Sequence, residues 1–512
     1  MARIKELQKL IGARFLNKGY ASVVGPLNSS FESPRDHEGH GSQTLSTAGG
    51  NFYQAQMCLG TGMEGGSPNA RVAAYKVCFP PVNGNECFDA DILAAFDMAI
   101  QDGVDVLSVS LGGDAVPFFN DSVAIGSFHA VKHGIVVVCS AGNSGPADGT
   151  VSNVATWQIT VGASIMDRQF PSYAVLGNNM RFKGESLSAK ALPKNKLFPV
   201  ISSIEAKAAN ADAKDAQLCK AGSLDPTMAK GKILVCLRGD NAWVDEGQEA
   251  ALAGAVGMIL ANNEASGNEI IADPHVLPAT HITYTDGLAV YRYLNSTNLH
   301  HLAYILAPID NCVQPDTTAP GVSIIAAYTE SQGPTNQDFD TRRVQFNCVS
   351  GTSMSCPHVS GIVGLLKTLH PDWSPAAIKS AIMTTARTRD NEAKPMTNAS
   401  HIKATPLSYG AGHVQPNRAM DPGLVYDLTT TDYLDLLCTL GYTKSQIEKF
   451  SETPYTCPSK NISLIDFNYP SITVHNLNGS ITVTRTVKNV GSPGTYVSQV
   501  FMAHRSGFSQ RG

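Results

Sequence analysis

Gly351-Thr352-Ser353-Met354-Ser355-Cys356-Pro357-His358-Val359-Ser360-Gly361 is the stretch that most restricts what this chain can become. A Gly-Thr turn hands a serine to the first turn of a helix. Downstream, Ile362, Leu365, Leu366 and Leu369 fall at i, i+3, i+4 and i+7, which predicts one apolar face. Pro357 suits such a helix only in its first turn, where the missing N–H costs little. A serine at a helix start lies among unpaired N–H groups and the positive end of the dipole, a setting that favours a developing oxyanion. The same residues would also make an ordinary Ser/Thr cap. The role of Ser353 therefore depends on the rest of the chain.

The rest of the chain is built like an α/β protein. Its 512 residues allow a large core and about two to four domains. Charged residues make up only 16% and glycines number 45, which fits tight turns between buried elements. The formal charge of −5 is thinly spread, and no basic run points to nucleic acid or an anionic membrane surface. No apolar run approaches the ~18 residues needed to span a bilayer. The eleven cysteines include no CxxC pair, which argues against zinc ribbons and thioredoxin-like sites. Six Asn-x-Ser/Thr sequons, at Asn28, Asn120, Asn295, Asn398, Asn461 and Asn478, suggest secretion. The opening residues contain no signal-peptide apolar core, so the chain is expected to have lost its true beginning.

Parallel-sheet patterning starts near residue 72. Val72 to Val77 is a short apolar run. Asp89 to Gln101 reads as a helix with Ile92, Ala95, Phe96 and Ala99 on one face and Gly103 as its stop. Val104 to Val109 reads as a strand that turns at Ser110-Leu111-Gly112-Gly113. A helix follows at Val123 to His133, then an apolar strand at Ile135 to Val138 that runs into Ser140-Ala141-Gly142-Asn143. This alternation predicts βαβ units. Residues 191–310 read as a separate α/β insert, containing the strand Lys232 to Leu237. The α/β pattern returns at Gly321 to Tyr328. Ser374-Pro375 then opens a helix as cap and first residue. After about 460, Ile472 to Val474, Ile481, Val483 and Val487 predict β structure.

Acyl transfer through Ser353 would need a base and an oxyanion donor. His40, set between Gly39 and Gly41, is the candidate base. Asn143, in a glycine-bracketed loop after a strand, is the candidate donor, placed where open α/β sheets put their ligands. His37-Glu38-Gly39-His40 misses the helical zinc spacing by one residue, and its glycines break the helix, so no metal is expected. Gly60-Thr61-Gly62-Met63-Glu64-Gly65 has dinucleotide-site spacing but no strand before it, and is read as a loop.

The His40 loop, Ser110-Leu111-Gly112-Gly113, Ser140-Ala141-Gly142-Asn143 and the Ser353 stretch, in that order, resemble the subtilase family, and most closely the plant subtilisin-like proteases. Arg71 to Val77, Pro315 to Gly321 and Tyr409 to Val414 extend the resemblance over nearly the whole chain. It implies a subtilisin-like parallel sheet flanked by helices over 1–190 and 311–430. It also implies a protease-associated insert over 191–310, and a linker with a partial fibronectin-III-like segment over 431–512. It implies a serine endopeptidase with Ser353 as nucleophile, His40 as general base and acid, and Asn143 with the Ser353 N–H as oxyanion hole. Ser110, Leu111, Gly112 and Gly113 would pair with the substrate backbone. The implied partners are peptide or protein substrates, without a cofactor, and a protein contacting the insert. The implied location is extracellular, in the apoplast or cell wall.

The departures carry their own expectation. The family's triad aspartate lies on a strand upstream of the His40 loop, and this chain begins after that point. Asp36, four residues before His40, corresponds to a family aspartate outside the triad. In subtilisin itself, loss of the triad aspartate costs on the order of 10⁴-fold in kcat, a value that belongs to that enzyme. An impaired protease is therefore expected, with a non-catalytic peptide-binding protein as the alternative. The absent segment should also leave backbone unpaired in the central sheet. Gln43 stands where the family usually has a histidine, and Ile309-Asp310-Asn311-Cys312 replaces a usual Phe-Ser-Ser segment.

Overall fold

The computed structural model describes residues 9–51, 66–82, 85–145, 149–166, 170–193, 196–296, 302–307, 316–398, 402–474 and 477–498. Gly60 to Gly65 and Ile309 to Cys312 lie outside them.

The centre is a four-stranded parallel sheet formed by β3 (Val106–Val109), β4 (Val136–Ser140), β5 (Ile159–Ser164) and β13 (Thr317–Pro320), in the order β13-β5-β4-β3. Every residue of β4 is buried, because both faces of the sheet are covered. One face packs Val137 and Cys139 against α2 (Asp89–Asp102) and α3 (Ser122–Lys132). The other packs Val136 and Val138 against α6 (Thr352–Leu369) and α7 (Pro375–Thr385).

Several local rules hold as the sequence predicts. Ile92, Ala95, Phe96 and Ala99 are the buried face of α2, and Gly103 caps it at φ 71°. Ser374 accepts a hydrogen bond from the Ala377 N–H at 3.0 Å and Pro375 opens α7. The apolar face of α6 is displaced from the predicted one. Val359, Ile362, Val363 and Leu366 are buried, whereas Leu365 and Leu369 are exposed.

Leu10–Phe15 forms a strand, β1, that pairs in parallel with β2 (Val72–Lys76) as a separate two-stranded sheet. Among the described residues β3 has a partner on one side alone, and Ser108 on it is exposed. The sheet edge is thus open where unpaired backbone was expected.

Between β5 and β13 lies a closed seven-stranded barrel. Its strands are β6 (Pro171–Leu176), β7 (Arg181–Glu185), β8 (Phe198–Ser202), β9 (Ile233–Leu237), β10 (Gly257–Ala261), β11 (Ala279–Ile282) and β12 (Leu302–Ala307). They are ordered β8-β9-β10-β11-β7-β6-β12, with β12 closing onto β8. The barrel takes in residues 171–185, ahead of the boundary drawn at 191, because β6 and β7 hydrogen-bond to β12 and β11. The Cys219–Cys236 disulfide ties its wall.

Toward the C-terminus the predicted strands at 472–487 do not form among the described residues. Ile472, Ile481 and Val487 are exposed, and Lys488–Asn489 alone pairs, with Leu424–Val425. Alternating apolar residues make a strand only where a second layer covers them. Arg485 instead ties the segment to the chain around Tyr469, donating to the Ile465, Tyr469 and Ser471 carbonyls at 2.7, 3.1 and 3.0 Å, and Tyr469 anchors that chain in turn. Its hydroxyl donates to Asp316 at 3.1 Å, while the buried Lys379 ammonium sits 4.6 Å above its ring.

Candidate active site

β3 and β4 run parallel side by side, so Ser110 and the Ser140-to-Asn143 turn emerge at the same end of the sheet. The first turn of α6 lies against that end. The Thr352 N–H and the Thr352 hydroxyl both donate to Asn143 Oδ1 at 3.0 Å, and the hydroxyl also reaches the Gly142 carbonyl at 3.2 Å. With Oδ1 taken, the Asn143 amide presents its Nδ2 donors outward. Asn143 is exposed, and a Cβ on Gly351 would stand 3.4 Å from Nδ2. The Asn143 amide thus lies against the backbone of Gly351, two residues before Ser353.

Pro357 lies in the sixth position of α6, beyond the first turn where the sequence places it. Proline has no N–H to give to the carbonyl four residues back, which is that of Ser353. The Ser110 hydroxyl fills the vacancy, donating to the Ser353 carbonyl at 2.8 Å. Cys356, one turn on, is fully buried with its Sγ donating to the Val138 carbonyl at 3.3 Å.

His40 is the first residue of α1 (His40–Gly49). Its entry is held by Asp36, whose Oδ1 accepts from the Glu38 and Gly39 N–H groups at 3.0 and 2.8 Å and whose Oδ2 accepts from the Ser42 N–H at 2.7 Å. Burial raises the Asp36 pKa, but these N–H donors outweigh it and hold the carboxyl below its ordinary value. Asp36 is thus a capping group. Gly39 takes φ 111°, and a Cβ there would fall 2.2 Å from the Tyr328 ring. Gln43 is buried and donates to the Ile324 carbonyl at 2.7 Å, a packing role.

Helices α1 and α6 pack face to face. A Cβ on Gly361 would meet the Ala48 carbonyl at 2.7 Å and the Gly66 Cα at 2.6 Å. Among the described residues no hydrogen bond joins His40 to Ser353, and no carboxylate accepts one from the imidazole. Burial lowers the His40 pKa, while Asp36 and Glu86 act in the opposite direction more weakly. The ring is therefore neutral near pH 7, the form that can take a proton.

The structure thus joins Ser110, Asn143 and Ser353 by hydrogen bonds, the last two through Thr352, and places His40 at the start of the helix that packs on α6 through Ala48. Leu111 is tied to the interior, whereas Gly112 and Gly113 are exposed. Sequence reasoning missed Thr352 and Asn153. Thr352 had a signal, a hydroxyl beside Ser353, whereas Asn153 had none beyond its place in a loop. Segment 328–342 links this site to the barrel. Thr329 donates to the Asp36 carbonyl at 2.8 Å, and Arg342 donates to the Pro274 carbonyl at 2.6 Å. Among the described residues no cluster of three or more His, Cys, Asp or Glu side chains could hold a metal ion.

Residues 17–412 match the model of the subtilase family, and residues 466–509 match a fibronectin type-III domain. Subtilisin-like protease SBT5.3 of Arabidopsis thaliana is 60% identical over 96% of this chain and 67% of its own length. Subtilisin-like protease SBT5.4 of Arabidopsis thaliana is 60% identical over 96% of this chain and 66% of its own length, so the chain spans about two thirds of these relatives. Subtilisin-like protease SBT1.7 of the same plant is 47% identical over 96% of the chain and 68% of its own length. A serine at a helix start, a histidine opening the helix packed against it and an amide held by the residue before the serine thus occur in a chain that belongs to the subtilase family of serine proteases.

Proposed function

We propose that this chain is a serine endopeptidase in which Ser353 attacks the scissile carbonyl, His40 takes its proton, and Asn143 Nδ2 with the Ser353 N–H receives the oxyanion. The observation that supports this reading is the Thr352–Asn143 pair, which takes up Oδ1 and leaves the amide Nδ2 of an exposed residue free to serve as a donor next to the Ser353 turn. The substrate would lie extended along Ser110, Leu111, Gly112 and Gly113, forming main-chain hydrogen bonds with them as an added strand. The barrel would act as a protease-associated domain contacting a protein partner. Secretion to the cell exterior is supported by the disulfides Cys78–Cys87, Cys219–Cys236 and Cys438–Cys457, and by the exposure of sequon residues such as Asn28, Asn120 and Asn461. No helix among the described residues is long and apolar enough to cross a membrane.

A second reading has one specific support. No carboxylate among the described residues orients His40, so the chain would bind peptides in this cleft and cleave them slowly or not at all. A fluorophosphonate probe separates the two. Labelling of Ser353 that is abolished in Ser353→Ala supports the protease. A wild-type chain that binds peptide yet resists the probe supports the second reading.

A further inference from the structure

Asn153 is 7% exposed and adopts a left-handed backbone at φ 56°. Its carbonyl accepts from the Thr160 hydroxyl at 2.6 Å, which fixes the residue to β5. Its Nδ2 donates to two carbonyls, Leu111 and Ser140, both at 2.8 Å. Leu111 is the second residue of the segment after β3, and Ser140 is the last residue of β4. A single amide group therefore pins the loop that follows one strand to the end of the next. The Ser140 hydroxyl adds a second donor to the Leu111 carbonyl at 3.2 Å.

Ser152, beside it, is 3% exposed, and its hydroxyl has no partner among the described residues. That oxygen sits in the gap between the two loops. It is 3.1 Å from where a Cβ on Gly112 would be, and 2.8 Å from where a Cβ on Gly142 would be. Residues 152 and 153 thus form the floor on which the Gly112 and Gly142 backbones rest. Both loops lack side chains at those points, so this floor acts on their spacing together with the strand pairing and the Ser140–Leu111 bond.

From this geometry we infer that Asn153 is a positioning residue, which holds Ser110 to Gly113 at the spacing and orientation needed to receive an extended peptide. With the Leu111 carbonyl turned into the protein, the exposed Gly112 and Gly113 backbone is the part left to a ligand. The inference rests on the reading of Ser353 as nucleophile and of Ser110 to Gly113 as the peptide-binding segment.

The test compares two probes of Ser353 on the 512-residue chain. A small alkyl fluorophosphonate reads the nucleophile alone, whereas a tetrapeptidyl diphenyl phosphonate must also pair with the segment. Asn153→Gly is the informative variant, since glycine keeps a left-handed backbone at no steric cost while removing the amide. The peptidyl probe should slow roughly tenfold relative to the small one, the loss expected when buried carbonyls lose their donors. Asn153→Asp keeps the size and the turn but faces both carbonyls with an acceptor, and should show the same selective loss. It decides the matter if the glycine variant does not fold. Equal slowing with both probes, or no change in their ratio, overturns the inference and leaves the proposed nucleophile standing. A wild-type chain labelled by neither probe overturns the nucleophile assignment, and this inference with it.

Discussion

The Ser110 hydroxyl donates to the main-chain carbonyl of Ser353 across 243 residues of sequence. The bond exists because Pro357 cannot make the helical one. It ties the peptide unit of Ser353, the proposed nucleophile, to the segment proposed to receive substrate, so motion of one is felt by the other. Ser110→Ala leaves a half-buried carbonyl without a donor, at a cost of about 1 kcal/mol. The expected result is a lower melting temperature together with slower phosphonylation of Ser353, and recovery of both in Ser110→Thr. An alanine variant that melts and reacts like wild type would remove this link.

Asn143 is aimed by Thr352, which donates twice to its Oδ1. In Thr352→Val the hydroxyl is gone and one main-chain donor is left to orient the amide. In subtilisin, removing an oxyanion donor outright costs about 10²–10³ in kcat. Thr352→Val should lose less, on the order of tenfold, and Asn143→Ala more. The readout is peptide anilide hydrolysis, with KM changed little in either variant. A Thr352→Val variant as damaged as Asn143→Ala would mean that Thr352 acts on something besides the amide.

His40 has to be neutral to accept a proton. Burial is the main influence on it and lowers its pKa from the ordinary 6.5, so protonation sets in only at more acid pH. The rate of Ser353 phosphonylation should therefore fall with acid pH along a limb whose midpoint lies below 6.5. Asp36 and Glu86 oppose the shift by favouring the imidazolium. Glu86→Gln, which removes one of them, should move that midpoint further down. A midpoint displaced toward higher pH would mean that Glu86 does not act on the imidazole as a nearby negative charge.

Much of this was legible from residue order. The α2 face from Ile92 to Ala99, the wholly buried β4 and the Ser374 cap follow from local periodicity and capping chemistry, which act over a few residues. What was misread depends on distant contacts. The Ile362–Leu366 pattern marks an apolar stripe without saying which edge of it is covered. Close approach of Gly361 to Gly66 and Ala48 turns Val359 and Val363 inward and leaves Leu365 and Leu369 out. Pro357 read as a first-turn residue because its compensating donor, Ser110, lies in another part of the chain. Leu10 to Phe15 gave no strand signal, since its residues stay largely exposed and its partner is β2. In the site, His40, Asn143 and Ser353 stand in recognisable phrases, whereas Asn153 works through a side-chain amide in an undistinguished loop.

The barrel carries its own pH dependence through Glu246, on α4 (Trp243–Leu252). This residue is fully buried, and among the described residues neither carboxylate oxygen has a hydrogen bond of good geometry. Burial pushes its pKa from 4.5 up to about 9; the nearby Gly239 N–H and Arg238 pull the other way but do not offset it. Folded protein therefore keeps a proton that the unfolded chain has lost, and stability must fall as pH rises toward 9. Asp273, raised by burial to about 7, contributes the same sign at lower pH and is largely spent above 7. His275 and His281, lowered by burial to about 4 and about 3, act below neutrality with the opposite slope. Between pH 7 and 9 the loss should thus come mainly from Glu246, at roughly 1.4 kcal/mol per pH unit. Hydrogen exchange of the β9 and β10 amides, corrected for its intrinsic pH dependence, measures it. Glu246→Gln, neutral at every pH, should flatten the profile over that range, and an unchanged slope would place the titrating proton on another group.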